Sequence, residues 1–188
     1  MSVKTKKRGR PAGTENQLGS EAIIDAAKGL MLKEGKVPSI RALALSLAVD
    51  PMAIYHYFAN KAALLEAITT SLVDDIYQPA TEDDWEVELN KLCESYLSLL
   101  AHYPGLLETL LSMTSLGPAE KFRERFLTVI APLNLDAIAT SNAEALLIDY
   151  LHGFALAMKC NQTQSPLNPS HLSGPLSLYC RALRTKDS

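Results

Sequence analysis

Ser39-Ile40-Arg41-Ala42-Leu43-Ala44-Leu45-Ser46-Leu47, then Ala48-Val49, then Asp50-Pro51-Met52-Ala53-Ile54-Tyr55-His56-Tyr57, is the stretch that decides the fold of this 188-residue chain. In its first segment Ile40, Leu43, Ala44 and Leu47 recur at i, i+3, i+4 and i+7, one face of a helix with Ser39 as its N-cap. In its last segment Asp50 is a strong N-cap, and Pro51 stands at the first helical position, where its missing N–H costs nothing. The pattern predicts a helix over Ser39–Leu47, a turn of about three residues, and a short helix over Pro51–Tyr57. That spacing is the one used by a DNA-binding helix-turn-helix, in which the first helix braces the second in a major groove.

Working outward, Ile23, Ile24, Ala27, Leu30 and Met31 recur at helical spacing between a candidate N-cap at Ser20 and a stop at Gly35. Downstream, Asn60 caps a longer helix carrying Leu64, Leu65, Ile68, Leu72 and Ile76 that ends near Gln78-Pro79. Trp85, Leu89, Leu92, Cys93, Tyr96, Leu99, Leu100 and Tyr103 stripe the next helix, and Pro104-Gly105 closes it. Further helices are expected over Leu106–Ser115, Gly117–Ile130, Ser141–Cys160 and from Ser173 onward, with 161–170 as a loop. Leucine and alanine total 54 residues against 15 for valine and isoleucine. Helix formers so outnumber strand formers that the fold class is all-α.

With 47% hydrophobic and 21% charged residues, the composition is that of a folded globular chain. Three cysteines, an odd number, do not make a disulfide framework, so a reducing cytoplasmic compartment is the default. No apolar segment follows the lysine-rich start, so no secretory signal is expected. No apolar run reaches the length of about 18 residues that a membrane span needs. The net charge of −3 conceals a division: residues 1–61 carry ten Lys/Arg against five Asp/Glu, and residues 62–188 eight against sixteen. The basic third suits nucleic acid despite an acidic whole. Lys4, Lys6, Lys7, Arg8 and Arg10 make a basic flexible arm, read either as a solubilising tail or as a groove-binding one. Arg8-Gly9-Arg10-Pro11 resembles the core of an AT-hook, whose arginines suit a narrow A·T-rich minor groove.

Ile54-Tyr55-His56-Tyr57-Phe58-Ala59-Asn60-Lys61-Ala62-Ala63-Leu64-Leu65 resembles the end of the DNA-binding domain of the tetracycline-repressor (TetR) family. Ser39 to Ala44 and Leu47-Ala48-Val49 match that family's second helix and turn. The likeness is strong over residues 20–68; beyond them, His102-Tyr103-Pro104-Gly105 and the helix around His152-Gly153-Phe154 look like the family's regulatory domain. The resemblance implies a basic arm (1–19), a three-helix helix-turn-helix DNA-binding domain (20–66) and a helical ligand-binding and dimerisation domain (67–188). It implies DNA contacts at Ser39, Arg41, Met52, Ala53, Tyr55, His56, Tyr57 and Lys61, joined by Arg8 and Arg10 from the arm. Lys61, at a helix N-terminus, is expected to hold a phosphate. Ala53 stands where the family usually has Thr or Ser, which removes a hydroxyl. Ala48 stands where the turn usually has Gly, so the turn must accept a Cβ.

The second half then has two expected tasks. The 141–160 helix is apolar on nearly every side and must be covered. Paired with the last helix it predicts a dimer interface at Leu147, Tyr150, Leu151, Leu176, Tyr179 and Leu183, and a homodimer on a palindromic operator. The family's pocket position implies an inducer-binding set at Tyr96, His102, Tyr103, Met113, Phe122, Phe126, His152 and Phe154. No G-x-S-x-G, H-E-x-x-H, phosphate-binding glycine loop or Cys-x-x-Cys occurs, so neither an enzyme, nor a metal site, nor a cofactor is expected. The reading is a ligand-responsive transcriptional regulator, most simply a repressor released by a small molecule. Two alternatives stay open: a thiol- or metal-sensing regulator of the same fold, and a helical interaction module that has lost DNA binding.

Overall fold

The computed structural model describes residues 18–81, 84–103, 105–161 and 167–184, and every regular element among them is helical. Among the described residues nine α-helices follow one another: α1 (Ser20–Glu34), α2 (Ile40–Ser46), α3 (Pro51–Tyr55), α4 (Lys61–Asp74), α5 (Trp85–His102), α6 (Leu106–Ser112), α7 (Gly117–Ile130), α8 (Ala137–Cys160) and α9 (Ser173–Arg184). The arm with Arg8 and Arg10 lies outside the described residues, as do Pro104 and part of the 161–170 loop.

Local chemistry sets the amino-terminal boundaries. Ser39 Oγ accepts from Ala42 N at 3.1 Å, Asp50 Oδ1 from Met52 N at 2.7 Å, and Asn60 Oδ1 from Ala63 N at 2.9 Å. Each satisfies an amide that the start of a helix leaves without a partner. Gly35 closes α1 at φ 66°, with its N–H donating to the Met31 carbonyl. Ala48 takes φ 54° in the helix-turn-helix turn. An L-residue with a Cβ adopts that conformation at a cost of roughly 1–2 kcal/mol, which the surrounding helices must offset.

Four expected boundaries shift, one by a single residue and three by about a turn. Ser20 is the first residue of α1 rather than its cap, because Gly19 occupies the N-cap without a side-chain bond. The fourth helix stops at Asp74, before Gln78, and α6 stops at Ser112. The long helix begins at Ala137 rather than Ser141, since Asp136 Oδ1 caps it on Ala139 N at 2.7 Å.

One continuous core runs through the molecule. Ile23, Ala27 and Met31 of α1, Leu43 and Ala44 of α2, Ile54 of α3 and Leu64 and Ile68 of α4 are buried together. A helix as short as α3 has no stability of its own in water. Ile54, completely buried, anchors it, a burial worth about 1.5–3 kcal/mol. α4 packs on α1 on one side and on α7 on the other, so it joins the amino-terminal unit to the bundle of α5, α7, α8 and α9.

Two buried charges fix that joint. Arg125 of α7 reaches the carboxy-terminal end of α4, donating to the carbonyls of Val73 (2.9 Å), Ile76 (2.9 Å) and Asp74 (2.6 Å) and to Asp74 Oδ1 (3.1 Å). It thereby satisfies the orphan carbonyls of a helix end and places a cation at its negative pole. Glu88 of α5 accepts from Tyr77 Oη (2.9 Å), Ala80 N (2.7 Å) and Lys91 Nζ (2.8 Å). Lys91 above all holds its carboxyl below the usual carboxylate range, and the cluster ties down the chain between α4 and α5.

Candidate nucleic-acid interface and internal cavity

On α3 only Ile54 faces inward. Met52 is 64% exposed, Tyr55 and His56 lie on the surface and Ala53 is half-buried, so the short helix offers its remaining side chains to the outside. Ser39, Arg41 and Lys61 are exposed as well, Arg41 at the start of α2 and Lys61 as the first residue of α4. Those residues come from three adjacent elements, and the caps at Ser39, Asp50 and Asn60 fix where each element begins. Ser39 is a helix cap whose Oγ already accepts a backbone bond.

Tyr57 differs from the others. It follows α3, and its hydroxyl donates to the Leu18 carbonyl. That bond holds the segment entering α1 against the exit of α3, so the phenol has a structural partner within the chain. Leu45, fully outward on α2, is a neighbour that sequence reading did not single out. Its place in the heptad pattern, one residue after Ala44 and off the buried stripe, was the available signal.

The expected inducer set divides in the structure. Tyr96, Met113, Phe122 and His152 line one cavity of about 140 Å³, partly open to solvent, together with Val73, Leu110, Ser115, Pro118, Ala119, Glu144 and Ile148. Tyr96 Oη and His152 Nε2 are 2.8 Å apart, with the donor set by the imidazole tautomer. Burial pushes the Tyr96 phenol well above its usual range and the His152 imidazole below its usual value, which favours the neutral form of each. Tyr96 packs its ring on Phe122 at 4.9 Å between centroids.

The other four lie elsewhere. His102 is exposed at the end of α5, edge-on to half-buried Tyr103, and both border a different, open groove beside Asp75 and Ile76. Phe126 is completely buried in the core one turn beyond Phe122, and Phe154 is buried on α8 near Tyr150. Sequence reading missed Ser115, Leu110 and Ile148. Ser115 sits in the turn between α6 and α7, where periodicity carries no information about which way a side chain faces.

The α8–α9 surface also departs from expectation. Leu147, Leu151 and Leu176 are buried inside the single chain, where they pack α8 and α9 onto the core. Tyr179 donates its hydroxyl to the Ala143 carbonyl at 2.7 Å, and Leu183 is half-buried against the same core. Of the apolar side chains left outside, Leu146 (63% exposed), Leu178 (61%) and Tyr150 border, with Pro175 and Ala182, an apolar groove between the two helices. Helical periodicity marks α8 as apolar all round but does not say which side its own chain covers.

Among the described residues no three His, Cys, Asp or Glu side chains converge on a point, and no helix is long and apolar enough to cross a membrane. Cys93 is buried with its thiol pushed far up by desolvation, and Cys180 is raised to about 11, again mainly by burial. In both, burial disfavours the thiolate that oxidation requires. Cys160 is exposed.

Residues 23–68 match the family described as bacterial regulatory proteins, tetR family. No curated protein sequence matches the chain. Among solved structures, Mycobacterium smegmatis BioQ aligns with a TM-score of 0.73 at 20% identity, covering 89% of this chain and 98% of that one. BioQ in complex with its natural double-stranded DNA operator aligns at 0.71 and 20%, covering 89% and 99%. The Streptomyces coelicolor TetR family protein ActR in complex with (S)-DNPA aligns at 0.72 and 17%, covering 88% and 96%.

Proposed function

We propose that the chain is a dimeric, ligand-responsive regulator of the TetR type that binds a palindromic operator, with repression relieved by a small molecule; the match of residues 23–68 to that family and the all-helical fold support the reading. The observation that carries the reading is the outward face of α3: a five-residue helix held by one buried isoleucine, with Met52, Tyr55 and His56 free to enter a groove. The helix-turn-helix unit spans residues 20–66, the arm 1–19 and the regulatory helices 67–188.

Within that reading Met52 and Ala53 bring apolar surface to the groove floor, which suits thymine methyl groups. Arg41, Tyr55 and His56 reach base edges or phosphates, and Arg8 and Arg10 follow the adjoining minor groove. Lys61 Nζ and the exposed amides at the start of α4 hold a phosphate. Tyr57 takes the lesser part, because its hydroxyl is engaged by Leu18. Two copies pair through the outward faces of α8 and α9, where Leu146, Tyr150 and Leu178 supply the apolar centre. A twofold pair then sets its recognition helices about 34–36 Å apart, one turn of B-DNA. The cavity lined by Tyr96, Phe122 and His152 takes the inducer, which acts only as far as it favours one arrangement of the two copies over the other.

Selection of bound duplexes from a random pool tests the proposal, the expected product being an inverted repeat. On that duplex, Lys61→Ala is expected to lower the slope of log K against log salt by about 0.9, one phosphate contact. Recovery of no common sequence, or an unchanged slope, would overturn the docking scheme.

A further inference from the structure

We propose that the cavity between α5, α6, α7 and α8 takes an uncharged, single-ring aromatic ligand bearing one hydroxyl or carbonyl, and that Ser115 Oγ is the group that reads that oxygen. The inference rests on the reading of the carboxy-terminal helices as a sensing domain and names the class of its ligand.

Size comes first. At about 140 Å³ the cavity is close to the roughly 150 Å³ of an apolar protein cavity that admits one benzene ring. The walls favour aromaticity. Tyr96 and Phe122 pack as a tilted pair, at 54° to one another, and both line the cavity. A third ring adds to that aromatic wall, with the Met113 thioether as a polarizable neighbour.

The polar groups determine the substituent. Tyr96 and His152 satisfy each other, and Glu144 is ion-paired with Arg123. Ser115 borders this cavity, as it does the open groove beside Asn60 and Glu66, and among the described residues its Oγ is withdrawn from solvent with no hydrogen-bond partner. A hydroxyl in that state is destabilised relative to water, and a ligand oxygen that meets it removes the cost. Because a serine hydroxyl both donates and accepts, either a hydroxyl or a carbonyl serves.

Charge is excluded by the same lining. Among the described residues lining the cavity a carboxylate finds no free cation, since burial favours the neutral imidazole of His152 and nearby Arg123 is already paired with Glu144. Stripping its hydration shell would therefore go uncompensated. The neighbouring cavity bounded by Leu100, Leu107, Ala155 and Met158 offers no comparable reader, because its charged groups Glu108 and Lys159 are paired with each other.

Ser115 also lies where binding can be felt. In the same turn, Met113 Sδ accepts from Thr69 Oγ1 of α4 at 3.4 Å. At Gly117 the backbone approaches α4 so closely that an added Cβ would stand 3.0 Å from Thr70 Oγ1. A ligand that draws Ser115 inward therefore pulls on the turn seated against the helix that carries Lys61.

Isothermal titration of the full chain with phenol, benzaldehyde, toluene and benzoate tests this. Phenol and benzaldehyde are expected to bind roughly tenfold tighter than toluene, one hydrogen bond's worth, and benzoate not at all in the same range. Ser115→Ala is expected to bring phenol down to the toluene level, and Ile148→Trp, which fills the cavity from another wall, to abolish binding of all rings. Equal affinity for phenol and toluene, retention of phenol affinity in Ser115→Ala, or binding of benzoate as tight as phenol would overturn the proposal, as would binding of none of the four. Repeating the titrations on the operator complex separates the two readings. Ring binding that depends on Ser115 but leaves DNA affinity unchanged keeps the ligand class and removes the inducer role. DNA release by compounds indifferent to Ser115 keeps the inducer role and overturns the ligand class.

Discussion

In the amino-terminal unit the side chains with chemistry to offer stand outside, on short helices whose ends are set by their own neighbours in sequence. In the carboxy-terminal helices polar groups lie inside, and Tyr96, His152 and Arg125 find their partners across long separations. Ser39 caps three residues on, Asp50 two and Asn60 three. Tyr96 meets His152 56 residues away, and Arg125 meets the end of α4 across 49 to 52. A surface that docks on a ready-made duplex needs groups presented outward and held rigidly. A cavity that senses a small molecule needs groups converged from several helices. The two halves differ in where water is excluded, and the consequences of substitution should differ in kind.

The largest expected effect falls on the joint between the halves. Arg125→Ala leaves the carbonyls of Val73, Asp74 and Ile76 without their donor in a buried setting, and it opens space in α7. Urea unfolding should register a loss of about 3 kcal/mol or more. A change below about 0.5 kcal/mol, the ordinary scatter of surface substitutions, would show that the two halves are not held together there.

The turn at Ala48 gives a smaller effect of opposite sign. Its φ of 54° suits glycine, so Ala48→Gly should stabilise the chain by about 1 kcal/mol, less the extra chain entropy that glycine loses on folding. The substitution lies in the amino-terminal unit and leaves the exposed face of α3 untouched. Equilibrium unfolding checks the gain, and a destabilised variant would contradict the observed turn geometry.

The smallest effect is one of pH. Burial favours the neutral imidazole of His152, which lowers its folded-state value below the ordinary 6.5. The unfolded chain therefore binds a proton more readily than the folded one, so His152 contributes stability above pH 6.5 that is lost as pH falls below it. Measured between pH 8 and 5, the urea midpoint should fall more steeply for the wild type than for His152→Gln. Identical slopes would mean that the Tyr96–His152 pair does not exclude the charged form.

What could be read from sequence follows the same division. Helix type and the caps at Ser39, Asp50 and Asn60 were legible because each depends on residues two to four apart, as does the burial of Ile54. The Asp136 cap went unread although it is local, because the apolar run that announced α8 begins a turn later. The outward face of α3 was legible once Ile54 was placed inside, since a five-residue helix has few faces. The cavity was half legible. Tyr96, Met113, Phe122 and His152 converge, whereas Phe126 and Phe154, apolar residues of the same helices, turn into the core instead. Ser115 gave no signal, because a turn residue's environment is set by tertiary packing alone. Leu147, Leu151 and Leu176 were assigned to an interface for a related reason: periodicity identifies an apolar face but not which of two partners, the chain's own bundle or a second copy, covers it.

The central claim is that α3 of each of two copies enters successive turns of the major groove. Hydroxyl-radical and methylation footprinting of the full chain on its selected duplex tests it most directly. The account predicts two symmetry-related major-groove segments protected with centres about 34–36 Å apart, and loss of both in Tyr55→Ala combined with His56→Ala. A single protected segment, protection confined to the minor groove, or a footprint unchanged in that double variant would contradict it.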